Sequence, residues 1–240
     1  MDRTGVINRE VKSVQLREPL WPPFVAMLAL AGLYACFPNY LRGGLPRGTV
    51  AGTVVALLIP IIITHRSGPH GLNQVLGYVL NGVVTAGMIY SLYLLIREMT
   101  KLNVDAQYLL RSAAGIWVAN ILVFAAWYWR LDGGGPHQRA LTHGHTDGAF
   151  LFPQMTMHPE AKTAAGEEEW EPNFVDYLFL AFNTSTAFSP TDVPVLSRWA
   201  KSLMMIQSTI SLLVIALLAG RAINILGEAA SKAAIPGPKV

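Results

Sequence analysis

Apolar and polar stretches alternate along this chain at the spacing of membrane helices. A helix needs about 20 mostly apolar residues to cross a bilayer core. Residues 21–40, 49–64, 72–96 and 107–129 meet or approach that length, and 199–226 exceeds it. A further apolar run at 174–188 is too short, and it turns polar at Asn183, Thr184, Ser185 and Thr186. The pattern predicts an all-α, polytopic integral membrane protein with about five transmembrane helices and one short re-entrant, pore-like helix.

Residues at the ends of these stretches fit the same picture. Trp21 and Tyr40 are the amphipathic aromatics expected at two interfaces, and Pro22 and Pro23 fall in a first turn, where proline is tolerated. Trp127, Tyr128 and Trp129 form an aromatic anchor, Arg111 can snorkel, and Pro60 is expected to bend its helix. The connection at 41–48 is a short hairpin carrying Arg42 and Arg47, 65–71 is a polar turn, and Arg97, Glu98, Lys101 and Asp105 mark a charged loop. The chain thus divides into a polar N-terminal segment (1–20), three N-terminal helices (21–106), a pore-like module (107–226) and a polar tail (227–240). The module comprises an outer helix (107–129), an extramembrane loop (130–172), the short helix (174–188) and an inner helix (199–226).

Composition narrows the function classes. Hydrophobic residues make up 52% of the 240 and charged residues 14%, against roughly 25% charged in ordinary soluble domains. A net charge of +3 does not imply nucleic acid and fits loops facing anionic lipid. No GxSxG, HExxH, Walker A or GxGxxG arrangement occurs, so nothing marks an enzyme. Cys36 is the lone cysteine and excludes an internal disulfide. Arg3, Arg9, Lys12 and Arg17 ahead of Leu33-Tyr34-Ala35-Cys36 admit a lipoprotein signal, but Tyr34 is bulky where such a site needs a small residue. A first span with a buried thiol is the preferred reading.

The loop at 130–172 holds Asp132-Gly-Gly-Gly-Pro136, the run Glu167 to Glu169, and His137, His143 and His145. His-X-His beside Asp147 is a weak candidate for a metal such as zinc, since nothing in a Gly-rich loop fixes its backbone. A solvated loop is preferred, and no metal or cofactor is assigned. The apolar patch at 149–152 is expected to touch the membrane surface or a neighbour.

Two polar stripes recur at helical spacing. Gly77, Asn81 and Thr85 share one face, as a packing seam or as the lining of a polar path. Met204, Gln207 and Ser211 share a face of the last helix, either in helix–helix hydrogen bonds or lining a pore. Arg221, near the end of that helix, reads as a snorkelled anchor.

Thr184-Ser185-Thr186-Ala187-Phe188-Ser189-Pro190-Thr191-Asp192 resembles the potassium-channel filter register TLTTVGYGD, with Thr184, Thr186 and Asp192 matching. The stretch from Asp176 to Phe182 looks like the preceding pore helix. The resemblance implies outer helix, pore helix, filter and inner helix, and a homo-oligomer, a tetramer in that family. Both filter glycines are replaced, by Ser189 and Thr191, and Pro190 stands for the aromatic. Glycine permits the backbone angles that aim successive carbonyls at the ion, and proline fixes φ near −65°. Potassium selectivity is therefore not carried over.

The whole chain also resembles an uncharacterised family of bacterial inner-membrane proteins, through the acidic run Glu167 to Glu169, Asp176-Tyr177-Leu178, Ser189-Pro190-Thr191-Asp192 and the last helix. That resemblance implies a multi-pass protein of a bacterial inner membrane and brings no activity. The expected function is a channel-like protein conducting inorganic cations without potassium selectivity. The alternatives are a non-conducting scaffold or accessory subunit and, third, a membrane-embedded metal-dependent enzyme. Five spans with a channel-like pore loop place the N-terminus outside, whereas the basic residues at 3–17 favour a cytoplasmic N-terminus.

Overall fold

Backbone groups in an apolar setting must satisfy one another, so each apolar stretch closes into a helix. The computed structural model describes residues 21–67, 70–99, 106–141, 148–167, 170–186 and 192–234. Six principal helices follow in order: α1 (Trp21–Cys36), α2 (Gly48–Ser67), α3 (His70–Met99), α4 (Ala106–Leu131), α5 (Phe174–Thr186) and α6 (Arg198–Ala234). Short helical turns occur at Pro136–Leu141, Pro153–Thr156 and Pro159–Ala165. There is no strand among the described residues, only an isolated antiparallel bridge between Phe150 and Val195.

Among the described residues three helices are long and apolar enough to cross a membrane: Gly71–Met99, Gln107–Gly134 and Arg198–Ile223. The two N-terminal apolar helices, Trp21–Cys36 and Gly48–Thr64, are shorter. Residues 37–40 do not extend α1 as expected, because Pro38 disfavours helical geometry in the residue before it. The chain instead makes a tight turn at Asn39–Arg42 and ends it on Gly43 in the left-handed region. The last helix departs the other way and runs through residues 227–234, expected as tail. Ala-rich sequence there favours helix, and the first proline is Pro236.

Helix α4 is the hub, packing against α1, α3, α5 and α6, while α2 packs on α1 and α3. Two-thirds of its most apolar window is buried inside the chain (67%), against 17% for α6, which therefore lies at the periphery. Gly115 of α4 lets Phe37 approach so closely that a Cβ would sit 2.6 Å from its ring. Tyr40 and Ser112 hydrogen-bond across the same contact at 3.2 Å. Arg42 is buried, and its guanidinium closes the α1–α2 turn by donating to the carbonyls of Phe37 and Leu45 and to Asn39 Oδ1. Helices α2 and α3 are tied by Asn73, whose Nδ2 donates to the Ile61 carbonyl at 2.7 Å. Cys36 is exposed on α1, so the expected buried thiol is corrected: the helix buries Met27, Leu30, Ala31 and Tyr34 instead.

Candidate functional site at the short helix

Helix α5 starts on a reciprocal cap. Asn173 Oδ1 accepts the Val175 N–H at 2.8 Å, and Asp176 Oδ2 accepts the Asn173 N–H at 2.8 Å. The helix then runs 13 residues, about 20 Å at 1.5 Å per residue, and so falls short of a bilayer core of about 30 Å. Phe174, Tyr177, Leu180, Ala181, Thr184 and Ser185 form its buried face, while Val175, Phe179 and Phe182 are exposed.

An aromatic cluster holds the start of α5. Phe174 packs edge-on against Trp129 of α4, and Tyr177 packs edge-on against both Phe150 and Phe152. Phe150 also meets Tyr128 of α4 and Trp199 at the start of α6. The patch at 149–152, expected at the membrane surface or a neighbour, instead faces inward, with Ala149, Phe150 and Phe152 all buried. Apolar area is satisfied sooner by this chain's own aromatics than by a surface contact. Residues 149–151 pair with 194–196: Leu151 N–H donates to the Pro194 carbonyl at 2.9 Å and Leu196 N–H to Ala149 at 2.8 Å. Val195, nine residues beyond Thr186, thus lies beside Phe150, which in turn touches Tyr177 of the first α5 turns.

Beneath the aromatics lies a polar group. Asp132, fully buried, accepts the Tyr177 hydroxyl at 2.7 Å and the Ala149 N–H. Arg139 donates to the carbonyls of Trp129 and Asp132 at 2.7 Å each, and its guanidinium lies over the Tyr177 ring. These contacts fold the Gly-rich turn back onto the end of α4.

Gln207 of α6 joins the far half of α5 to α4. Its Nε2 donates to the Ala181 carbonyl at 2.7 Å and to Ser185 Oγ at 2.8 Å, and its Oε1 accepts the Tyr128 hydroxyl. Asn120 Nδ2 donates to Ser211 Oγ at 2.8 Å and to the Gln207 carbonyl at 3.2 Å. Asn120, Tyr128, Ser185, Gln207 and Ser211 are all fully buried. Thr184 bonds back to the Leu180 carbonyl, and Thr186, exposed, to that of Phe182.

Of the residues singled out by sequence, Thr184 and Ser185 come together with Gln207 and Ser211 in this α4–α5–α6 unit. Met204 is half-buried on the same helix, and Asp192 is exposed. Ala187, Phe188, Ser189, Pro190 and Thr191 lie outside the described residues, as do His143 and His145. His137 is half-buried beside the Gly-rich turn. Among the described residues no three His, Cys, Asp or Glu side chains gather to hold a metal.

The stripe on α3 faces α4. Gly77 lies under the Arg130 guanidinium, and Thr85 Oγ1 accepts the Trp127 indole N–H at 2.8 Å. Asn81, between them, is 1% exposed, and neither atom of its amide is paired.

Sequence reasoning missed Asn120, Asp132, Arg139 and the inward role of Tyr128. Asn120 carried a signal, being an amide in the middle of an apolar span, where a polar group must find a partner. Tyr128 sits in an interface motif, Trp-Tyr-Trp, that conceals which ring turns inward. No family model, curated protein or solved structure matches the chain.

Proposed function

We propose that the chain is a channel-like membrane protein of about five spans, with α5 as a re-entrant pore helix. In this reading α4 is the outer helix and α6 the inner helix of one pore-forming unit. The observation that carries it is the return of the chain after α5: Phe150, whose ring meets Tyr177 near the start of α5, pairs through its backbone with Val195, beyond the end of α5. A helix that crossed fully would leave its two flanks on opposite sides. Irregular backbone at membrane depth is tolerated where protein buries it or water is lined by it. The Gln207 amide supports the inner half of α5 as such a scaffold requires.

The unit supplies one short helix, so a pore needs several copies, four by the channel resemblance. Asp192, exposed where the chain rejoins the described fold, would form a ring of carboxylates attracting inorganic cations. With Ser189 and Thr191 in the filter-glycine places, such a pore would not select potassium. A bacterial inner membrane is the setting implied by the wider resemblance.

A non-conducting scaffold is the second reading, and one observation favours it. Gln207 and Ser211 point into the chain, which leaves Met205, Ile206, Leu212 and Leu213 exposed on α6 together with Thr209, whose hydroxyl is turned back onto the Met205 carbonyl. That face is apolar apart from Thr209.

Purified protein reconstituted in liposomes separates the two readings. Cation flux that falls on Asp192→Asn is the expected result for a pore. Absence of flux with sodium, potassium and calcium, from protein shown to be folded and oligomeric, establishes the scaffold reading instead.

A further inference from the structure

Arg130 is a buried charge that the described part of the molecule leaves without an acceptor. It closes the last turn of α4, is 9% exposed, and makes no hydrogen bond or ion pair among the described residues. Its Nε is buried without a partner. The guanidinium lies over the Trp129 ring, 5.3 Å from its centroid, which offers no acceptor oxygen. Tyr78 of α3 is close enough to favour the guanidinium charge without a hydrogen bond to it. Asp132, two residues on, does not supply one, because its carboxylate turns toward Tyr177 and Ala149.

A guanidinium stays charged at any ordinary pH, so a buried one needs an acceptor. The fold packs closely around the guanidinium itself. Gly77 of α3 lies directly against the guanidinium, and a Cβ there would overlap it. One helical turn along the same stripe, Asn81 is 1% exposed with both amide atoms unpaired. The α3–α4 seam is therefore short of polar partners at two successive turns.

We propose that this seam binds a phosphate-bearing anion on Arg130, with a phospholipid headgroup as its source in the membrane. The planar fork of arginine matches two phosphate oxygens at once, which satisfies donors that the chain leaves empty. Arg130 follows Trp127, Tyr128 and Trp129 at the end of a membrane-length helix. That is the depth at which interface aromatics and headgroups meet, and basic sites between spanning helices bind headgroups there. Free phosphate offers the same oxygens, and the test distinguishes the two sources.

The full chain is purified in a neutral detergent, and its melting temperature is followed while phosphatidylglycerol, phosphatidylcholine or inorganic phosphate is titrated in. The wild-type protein is expected to gain stability saturably with phosphatidylglycerol, and less with phosphatidylcholine. Arg130→Gln should raise the half-saturating concentration by about tenfold or more, as loss of charge-assisted hydrogen bonds implies. Arg130→Lys should fall between them. Gly77→Ala keeps the charge but displaces the guanidinium, so it should behave as Arg130→Gln and decides the matter if that variant does not fold. An Arg130-dependent gain with inorganic phosphate alone keeps the anion site and assigns it to free phosphate. No saturable gain with any of the three phosphate-bearing titrants overturns the proposal, as does a wild-type titration curve from the folded variants.

Discussion

The hydroxyl of Tyr177 donates to the Asp132 carboxylate over 2.7 Å, joining the short helix α5 to the end of α4 across 45 positions of sequence. Both residues are fully buried. A buried carboxylate deprived of a donor loses more than an average hydrogen bond, because its desolvation is no longer offset. Tyr177→Phe keeps the ring contacts with Phe150 and Phe152 and removes the hydroxyl donor. It should destabilise the protein by about 1.5–3 kcal/mol, read as a lower unfolding midpoint in detergent. A midpoint within error of wild type would show that the bond carries no weight.

Gln207 holds three partners with one amide: the Ala181 carbonyl, Ser185 Oγ and the Tyr128 hydroxyl. Interhelical hydrogen bonds in membranes average about 0.6 kcal/mol each, so Gln207→Leu should cost about 2 kcal/mol. The loss should be local, loosening α5 against α6 before the α1–α3 layer. Hydrogen exchange at 180–186 rising ahead of that at 84–95 is the expected signature; uniform exchange would exclude it.

The sequence made the helices legible because apolar length and interface aromatics report directly on burial in lipid. It located α5 as well, since the apolar run at 174–188 is short for a span and turns polar at Asn183, Thr184, Ser185 and Thr186. What it could not show was direction around each helix. Gln207 and Ser211 stood out by spacing, but the partners that turn them inward, Asn120 and Tyr128, lie about 80–90 positions away on α4. The patch at 149–152 failed for the same reason. Its destination is an aromatic cluster assembled from Tyr128, Tyr177 and Trp199, three segments with no local mark of their meeting.

Asp176 gives the cap of α5 a pH dependence. Burial raises its carboxyl above the usual value, against the lowering effect of the Asn173 N–H, and Glu167 raises it further. The folded state therefore holds this proton more tightly than the unfolded chain does. Its contribution to stability is greatest below the ordinary carboxylate range and is lost as pH rises through the raised folded value. Asp176→Asn removes the titration, so the wild-type midpoint minus the variant midpoint should fall as pH increases from acid toward neutral. A difference that rises over that interval would reverse the sign and put the cap hydrogen bond ahead of burial.

The re-entrant reading of α5 makes its sharpest prediction about the two sides of the membrane. Glu171 precedes α5, Asp192 follows it, and both are exposed. If the chain enters and leaves the bilayer at one surface, Glu171→Cys and Asp192→Cys must react with an impermeant maleimide from the same side of sealed vesicles. The background is Cys36→Ala, which removes the lone thiol. Phe179→Cys, midway along the exposed face of α5, should be protected from the same reagent, because that face would lie in lipid or against another copy. Inverted and right-side-out vesicles give the two orientations, so each position is scored twice. Labelling of 171 and 192 from opposite sides would make α5 part of a full crossing, despite its length of about 20 Å. The shared Phe150 contact argues for the single-sided result. Phe150 cannot pack its ring on Tyr177 and pair its backbone with Val195 while Glu171 and Asp192, six and three residues from those two, emerge across a core of about 30 Å.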